Sequence, residues 1–195
     1  MIRIIGGTAG GRRLKSPTGE STRPTSDRVR EALFSALEAS AGSISGLHFL
    51  DLYAGSGAVA LEALSRGAAA ATCVEHDRRT AALIRENARS LGLPLDVVTA
   101  SVARVLSQPP RAPYDIAFLD PPYSLPTDEL VANLTAARAN GWLGAAASAV
   151  LERSSRSRDP VWPDGFVADR AKKYGETTLW YGHAATPGGT GSTAS

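Results

Sequence analysis

The sequence is poor in the groups that staple or metallate a fold. Cys73 is the single cysteine in 195 residues, which rules out an intrachain disulfide. The three histidines, His48, His76 and His183, are scattered, and no H-x₃-H or C-x₂-C spacing exists, so no metal is expected. No apolar run approaches the ~20 residues that span a bilayer. The opening stretch Met1-Ile2-Arg3-Ile4-Ile5-Gly6-Gly7 has neither the apolar region nor the cleavage site of a secretory signal. These absences point to a soluble protein of the reducing cytoplasm. Hydrophobic residues make up 43% and charged residues 21%, the balance of one globular domain with room for a small appendage.

Charge is unevenly placed. Residues 1–30 hold seven cations (Arg3, Arg12, Arg13, Lys15, Arg23, Arg28 and Arg30) against two anions (Glu20 and Asp27), a net of +5 within a chain of net +2. Such a segment is either a solvated charged arm or a face for a polyanion. With a nucleic-acid substrate, these seven cations become the candidate phosphate contacts.

Residues 2–14 have short apolar stretches around Gly6-Gly7 and Gly10-Gly11 and read as a β-hairpin, and prolines and a glycine hold 16–24 as loop. Ser26 or Asp27 caps a helix whose apolar positions Val29, Ala32, Leu33, Ala36 and Leu37 follow helical spacing. From residue 47 short buried strands alternate with amphipathic helices, the pattern of a mostly parallel sheet covered on both faces. Strands are expected at 47–53, 70–75, 95–99, 114–119, 149–152, 167–172 and 177–181. The chain divides into a basic hairpin and helix (1–45), an α/β domain (46–183), and a disordered tail (184–195) rich in Gly, Ser, Thr and Ala.

Two constellations carry chemistry. Asp51-Leu52-Tyr53-Ala54-Gly55-Ser56-Gly57 ends the first strand of the alternating region and opens a helix. Small residues there let backbone approach a ligand at the carboxyl edge of the sheet. Eighteen residues beyond Gly57, Glu75 ends the next strand, placed to accept hydrogen bonds from ribose hydroxyls. The stretch Gly55-Ser56-Gly57-Ala58-Val59-Ala60 also approximates the dinucleotide fingerprint. Asp51 tips the choice: a carboxylate beside the turn attracts an amino group or sulfonium and repels a pyrophosphate, so S-adenosyl-L-methionine fits better than NAD.

The second constellation, Asp120-Pro121-Pro122-Tyr123, ends the fourth strand of the same sheet. Two prolines remove two backbone donors, leaving carbonyl oxygens facing outward beside the Asp120 carboxylate, a cluster of acceptors suited to an exocyclic amine. Tyr123 adds a ring on which a base can stack.

With these residues in hand, the chain resembles class I S-adenosylmethionine-dependent methyltransferases of the amino-group type. More narrowly it resembles the RsmD family, bacterial guanine-N2 methyltransferases of small-subunit (16S) ribosomal RNA. The resemblance rests on Arg3-Ile4-Ile5-Gly6-Gly7, Gly11-Arg12-Arg13-Leu14, Arg23-Pro24-Thr25, Val29-Arg30-Glu31-Ala32-Leu33-Phe34, the glycine turn, the stretch from Asp115 to Tyr123, and Lys173-Tyr174-Gly175. It implies a Rossmann-like sheet of seven strands with an antiparallel last strand. It also implies a donor site of Asp51, Ala54, Gly55, Ser56, Gly57 and Glu75, and a catalytic tetrad of Asp120, Pro121, Pro122 and Tyr123. Where such enzymes commonly place an acid for the adenine amine, this chain has Ala100-Ser101, so Ser101 or backbone takes that contact; His76 is a further candidate against the adenine. Implied partners are ribosomal RNA and the small subunit or its assembly intermediates.

Rival readings remain: a DNA adenine-N6 or cytosine-N4 methyltransferase, since the tetrad recognises an amine and not a base, an RNA-binding module without turnover, or an NAD-binding protein. Cys73 and Trp180 read as packing residues, and Lys172 and Lys173 as a strand end that either faces solvent or touches phosphate.

Overall fold

The computed structural model describes residues 2–17 and 25–185. Its centre is a seven-stranded sheet built from β3 (His48–Leu52), β4 (Ala70–Glu75), β5 (Leu95–Thr99), β6 (Tyr114–Leu119), β7 (Leu143–Ser154), β8 (Phe166–Tyr174) and β9 (Thr177–Ala184). The spatial order is β5-β4-β3-β6-β7-β9-β8. Every neighbouring pair is parallel except those of β9, which runs antiparallel to both β7 and β8. This is the doubly wound sheet with a reversed last strand that the resemblance implies. The order turns around between β3 and β6, and the crevice at the carboxyl ends of those two strands is where open α/β sheets bind ligands.

Helices cover both faces because each presents one apolar stripe. On one face lie α1 (Asp27–Ala41), α2 (Ala58–Ser65) and α3 (Arg78–Leu91), whose Phe34, Leu37, Val59 and Ile84 share a core with Phe49, Phe118 and Val150 of the sheet. On the other face α4 (Val102–Leu106) and α5 (Thr127–Ala139) bury Leu106, Leu130 and Leu134 against Leu50, Leu119 and Leu151. Of the two candidate caps of α1, Ser26 is the one used: its hydroxyl accepts the Val29 N–H at 3.3 Å. Asp77 caps α3 in the same way through the Thr80 N–H at 2.7 Å.

Before the sheet, β1 (Ile2–Arg3) and β2 (Arg13–Leu14) form the expected antiparallel hairpin, closed through a 3₁₀ turn at Gly7–Ala9. It is fastened to α2. The buried Glu62 carboxylate accepts the N–H groups of Ile5 at 2.7 Å and Gly6 at 2.8 Å, and the Ser65 hydroxyl accepts the Ala9 N–H and donates to the Gly6 carbonyl. The approach is so close that a Cβ on Gly7, at φ +73°, would sit 1.8 Å from the Ser65 carbonyl oxygen. Arg66 continues the fastening by pairing with Glu62 at 2.8 Å and with Glu38 of α1 at 3.2 Å.

Two strand boundaries move by three residues or more. β7 starts at Leu143, six residues before the expected Ala149, because it includes the small-residue run 144–149, which has weak strand preference and is held by its neighbours. β9 extends to a fully buried Ala184, so the sheet takes the first residue of the stretch read as tail. Ala185, next in that stretch, donates its N–H to the Gly165 carbonyl at 2.8 Å, and residues 186–195 lie outside the described residues. Among the described residues no helix is long and apolar enough to cross a membrane.

Candidate active site

The strands of the switch point end in carboxylates. Asp51 on β3 is 1% exposed, and its Oδ2 has no hydrogen-bond partner. Burial pushes its pKa up to about 8; a backbone N–H from Ala60 opposes the shift and the charges of Glu75 and Glu152 add to it. A buried acceptor left open at the carboxyl edge of a sheet calls for a donor or a cation from a ligand. That fits the amino and sulfonium groups of S-adenosylmethionine.

The chain then turns sharply. Tyr53 is the one non-glycine residue at positive φ, 71°, among those described, and its hydroxyl accepts a hydrogen bond from the buried Asn133 amide of α5 at 2.8 Å. That bond holds a backbone conformation that L-residues disfavour. Ala54 donates its N–H to the Val74 carbonyl at 3.0 Å, and Gly57, at φ +76°, packs so tightly that a Cβ would lie 2.7 Å from Ile84. The carbonyl of the buried Ser56 accepts from Asn87 at 3.2 Å, and the same Asn87 amide donates to the Lys15 carbonyl at 3.0 Å. One side chain of α3 therefore ties the N-terminal arm to the glycine turn.

Glu75, at the end of β4, is buried and braces this turn: one oxygen accepts the Gly55 N–H at 3.1 Å, the other the Asp77 N–H at 2.9 Å. His76 lies 3.1 Å from the same carboxylate with its side chain 80% exposed. Ser101, beyond β5, caps α4 by accepting the Arg104 N–H at 3.4 Å, which leaves its hydroxyl proton free to donate.

Asp120 follows β6. Leu119 and Leu151 are register partners, so Asp120 stands beside Glu152 on β7. The Thr25 hydroxyl donates to Glu152 at 3.0 Å. Burial, then the charges of Glu152 and Asp51, hold Asp120 well above the usual carboxylate range. Burial likewise pushes Glu152 up to about 7 against the opposing effects of Thr25 and Arg30. Tyr123 is 67% exposed, as a stacking surface requires. The tetrad differs from expectation in one respect: the Pro122 carbonyl does not face outward as a free acceptor, because it accepts the Leu125 N–H at 2.9 Å in a tight turn. Pro121 is left as the carbonyl beside Asp120.

The basic arm divides. Arg30 is not available to a phosphate: it is 1% exposed and donates to the carbonyls of Thr25 at 3.0 Å and Arg3 at 2.6 Å and to Asp27 at 2.8 Å. Its helical position on the inner face of α1 carries it into the core, a consequence that charge counting alone misses. Arg3 pairs with Asp27 at 2.9 Å, Lys15 with Glu86, and Arg12 donates to the Ser90 carbonyl. Arg13 and Arg28 are exposed and have no partner among the described residues, and Arg23 lies outside them. Lys172 and Lys173 are exposed on β8. Cys73 and Trp180 are packing residues, Cys73 fully buried.

Thr25, Glu152, Asn87 and Asn133 lie around the candidate site and received no role from sequence. Glu152 had a usable signal as the last residue of the strand expected at 149–152. The others are joined only by the fold. Arg153, the neighbour of Glu152, adds a guanidinium whose Nη1 is buried without a partner and whose charge acts on Asp120 and Tyr53.

A doubly wound sheet with one reversed strand, carrying an acidic glycine turn and an Asp-Pro-Pro-Tyr tetrad on adjacent strand ends, defines a class I S-adenosylmethionine-dependent methyltransferase. Within that class the chain belongs to the RsmD family: the family model described as conserved hypothetical protein 95 matches residues 2–183. The ribosomal RNA small subunit methyltransferase D of Escherichia coli K12 is 39% identical over 176 residues, covering 90% of this chain and 86% of the relative. The protein of the same name from Haemophilus influenzae is 33% identical over 178 residues, 89% of each chain. Among solved structures, the yhhF protein of Escherichia coli superposes with a TM-score of 0.82 at 34% identity, covering 95% of this chain and 98% of that one.

Proposed function

We propose that the protein methylates the exocyclic N2 amine of a guanine in small-subunit (16S) ribosomal RNA, acting in the cytoplasm on the subunit or an assembly intermediate. The observation that carries this reading is the tetrad after β6, where the exposed Tyr123 ring stands three residues from Asp120, whose carboxyl we read with the Pro121 carbonyl as an acceptor pair. An acceptor pair orients an amine with two hydrogens to give, and the ring receives a base swung out of its stack. The names of the relatives support ribosomal RNA as the polymer.

Bound S-adenosylmethionine supplies an electrophilic methyl on a positively charged sulfur. Asp51 and the glycine turn, with Glu75 bracing it, hold that donor at the carboxyl edge of β3 and β4; Asp120 orients the amine lone pair. Because the sulfonium is already activated, most of the acceleration is positional.

The test is incubation of the protein with radiolabelled methyl donor and ribosomal particles from cells that lack it, followed by nucleoside analysis. Labelled N2-methylguanosine in small-subunit RNA is the expected product. Label in N6-methyladenosine or N4-methylcytosine, or label taken up only by DNA, overturns the assignment.

A further inference from the structure

We propose that Glu152 selects guanine, its carboxylate accepting the ring N1–H that lies beside the amine held by Asp120. The inference rests on the amine-methylating reading above and adds to it the group that tells one base from another.

The tetrad alone does not choose. Guanine, adenine and cytosine each carry an exocyclic amine with two hydrogens to give, and an acceptor pair serves all three. The ring nitrogen next to the amine does differ. In guanine it is N1, which bears a hydrogen, whereas in adenine it is N1 and in cytosine N3, each a bare lone pair. A flipped base is read along this edge. A second acceptor beside the first therefore receives guanine and repels the other two, and a site gains specificity from such repulsion as much as from attraction.

Glu152 is placed to be that acceptor. Phe118 and Val150 are register partners, as are Leu119 and Leu151, so the next residues, Asp120 and Glu152, stand side by side at the carboxyl edge of the sheet. Neighbouring strands lie only about 4.8 Å apart. Phe118 and Val150 belong to the core under α1, and the alternation of side chains carries Asp120 and Glu152, two residues on, to that same face. There the buried Glu152 is fixed from above: the Thr25 hydroxyl donates to its Oε2 at 3.0 Å, and Arg30 of α1 holds the Thr25 carbonyl at 3.0 Å. Its Oε1 has no hydrogen-bond partner among the described residues.

Electrostatics favour a donor at this place. Burial pushes the Glu152 pKa up to about 7 although Thr25 and Arg30 oppose the shift, so the ionised carboxylate gains from one more N–H. The charge of Glu152 also raises Asp120, and a base that gives one hydrogen to each carboxyl relieves that repulsion. The same contact serves the reaction. A carboxylate drawing on N1–H leaves more electron density on the ring, and the amine lone pair conjugated with it becomes a better nucleophile.

The experiment reconstitutes small-subunit particles whose ribosomal RNA carries either guanine or 2-aminopurine at the methylated position. The analogue keeps the amine on C2 but bears no hydrogen on N1. Wild type, Glu152→Gln and Thr25→Val are compared by kcat/KM for each particle at saturating donor, and donor affinity is measured apart by titration with S-adenosylhomocysteine. Wild type is expected to prefer guanine by about tenfold to a hundredfold, the worth of one hydrogen bond to a charged group. Glu152→Gln, whose amide can offer its oxygen to guanine or its nitrogen to the analogue, narrows that preference to within a few-fold at unchanged donor affinity. Thr25→Val keeps the charge but leaves the carboxylate unfixed, so it retains the preference and raises KM for guanine-bearing particles several-fold. This second variant carries the test if the first does not fold. Equal wild-type kcat/KM on the two bases, a preference undiminished in Glu152→Gln, a Glu152→Gln variant inactive on both, an unchanged KM in Thr25→Val, or a loss confined to donor affinity each overturn selection by Glu152 while wild-type methylation of guanine stands. A wild type that methylates no guanine amine overturns the underlying reading and the selection together.

Discussion

The Arg30 guanidinium donates to the Thr25 carbonyl at 3.0 Å, so a cation of α1 holds the residue whose hydroxyl donates to Glu152, the neighbour of Asp120. The arm is thereby a structural part of the active site, whatever its exposed face binds. Replacing Arg30 by Met keeps volume but removes donations to two carbonyls and to Asp27, each worth about 1–3 kcal/mol. A loss of about 3 kcal/mol lowers the melting temperature by roughly 6–12 °C in a chain of this size. Calorimetry checks it, and an unchanged melting temperature together with a reduced salt dependence of RNA binding would return Arg30 to the phosphate-contact set.

Arg13 and Arg28 are the described arm cations left for a phosphate. If both contact the backbone, Arg13→Gln with Arg28→Gln weakens RNA binding and reduces the slope of log affinity against log salt by about 1.4–1.8, at ~0.7–0.9 per contact. Donor affinity stays the same. Titrations of wild type and double variant at several salt concentrations decide the matter, equal slopes excluding the pair.

Asp120→Ala is expected to abolish methylation while leaving donor affinity within a few-fold, since the carboxyl acts on the acceptor amine. Saturating the variant with donor and recovering full turnover would place Asp120 on the donor side instead.

Glu75 has two tasks in one carboxylate. It accepts N–H bonds from Gly55 and Asp77, which shape the turn, and its remaining lone pairs are free for ribose hydroxyls. Glu75→Ala therefore weakens donor binding by about tenfold or more, through lost charged hydrogen bonds and a loosened turn. Isothermal titration with S-adenosylhomocysteine measures it; wild-type affinity in the variant would remove Glu75 from the site.

The strand and helix pattern from β3 to β6 was legible in sequence because each element has a clean period and a turn or cap at its end, as with Asp77 before α3 and Gly92 after it. The start of β7 was not, since an alanine-rich run has no period and is a strand only by virtue of β6 and β9 beside it. The site was legible where its residues lie together in the chain, at 51–57 and 120–123. Thr25 and Glu152 are 127 residues apart, and only sheet order and the packing of α1 bring them together. Arg30 shows the converse: its charge was plain in sequence, but its burial depends on which face of α1 turns inward.

Asp51 makes donor binding depend on pH in a direction that can be worked out. Its carboxyl is raised to about 8, chiefly by burial, so near neutrality the donor-free protein keeps it mostly protonated. A cationic ligand favours the ionised form, and binding must therefore release a proton below that value. Affinity for S-adenosylmethionine should rise by up to about tenfold per pH unit between roughly pH 6 and 8 and level off above. Folding responds with the opposite sign, because the raised carboxyl stabilises below its unfolded pKa and loses that contribution as pH climbs through about 8. Asp51→Asn removes both effects: donor affinity is weak with a reduced dependence on pH, and the melting temperature near pH 9 exceeds that of wild type. Titration calorimetry and thermal melts across this range test the two signs together. A wild-type affinity that falls with rising pH, or an Asp51→Asn variant with the wild-type slope, would mean that the open Oδ2 of Asp51 does not face the donor's positive charge.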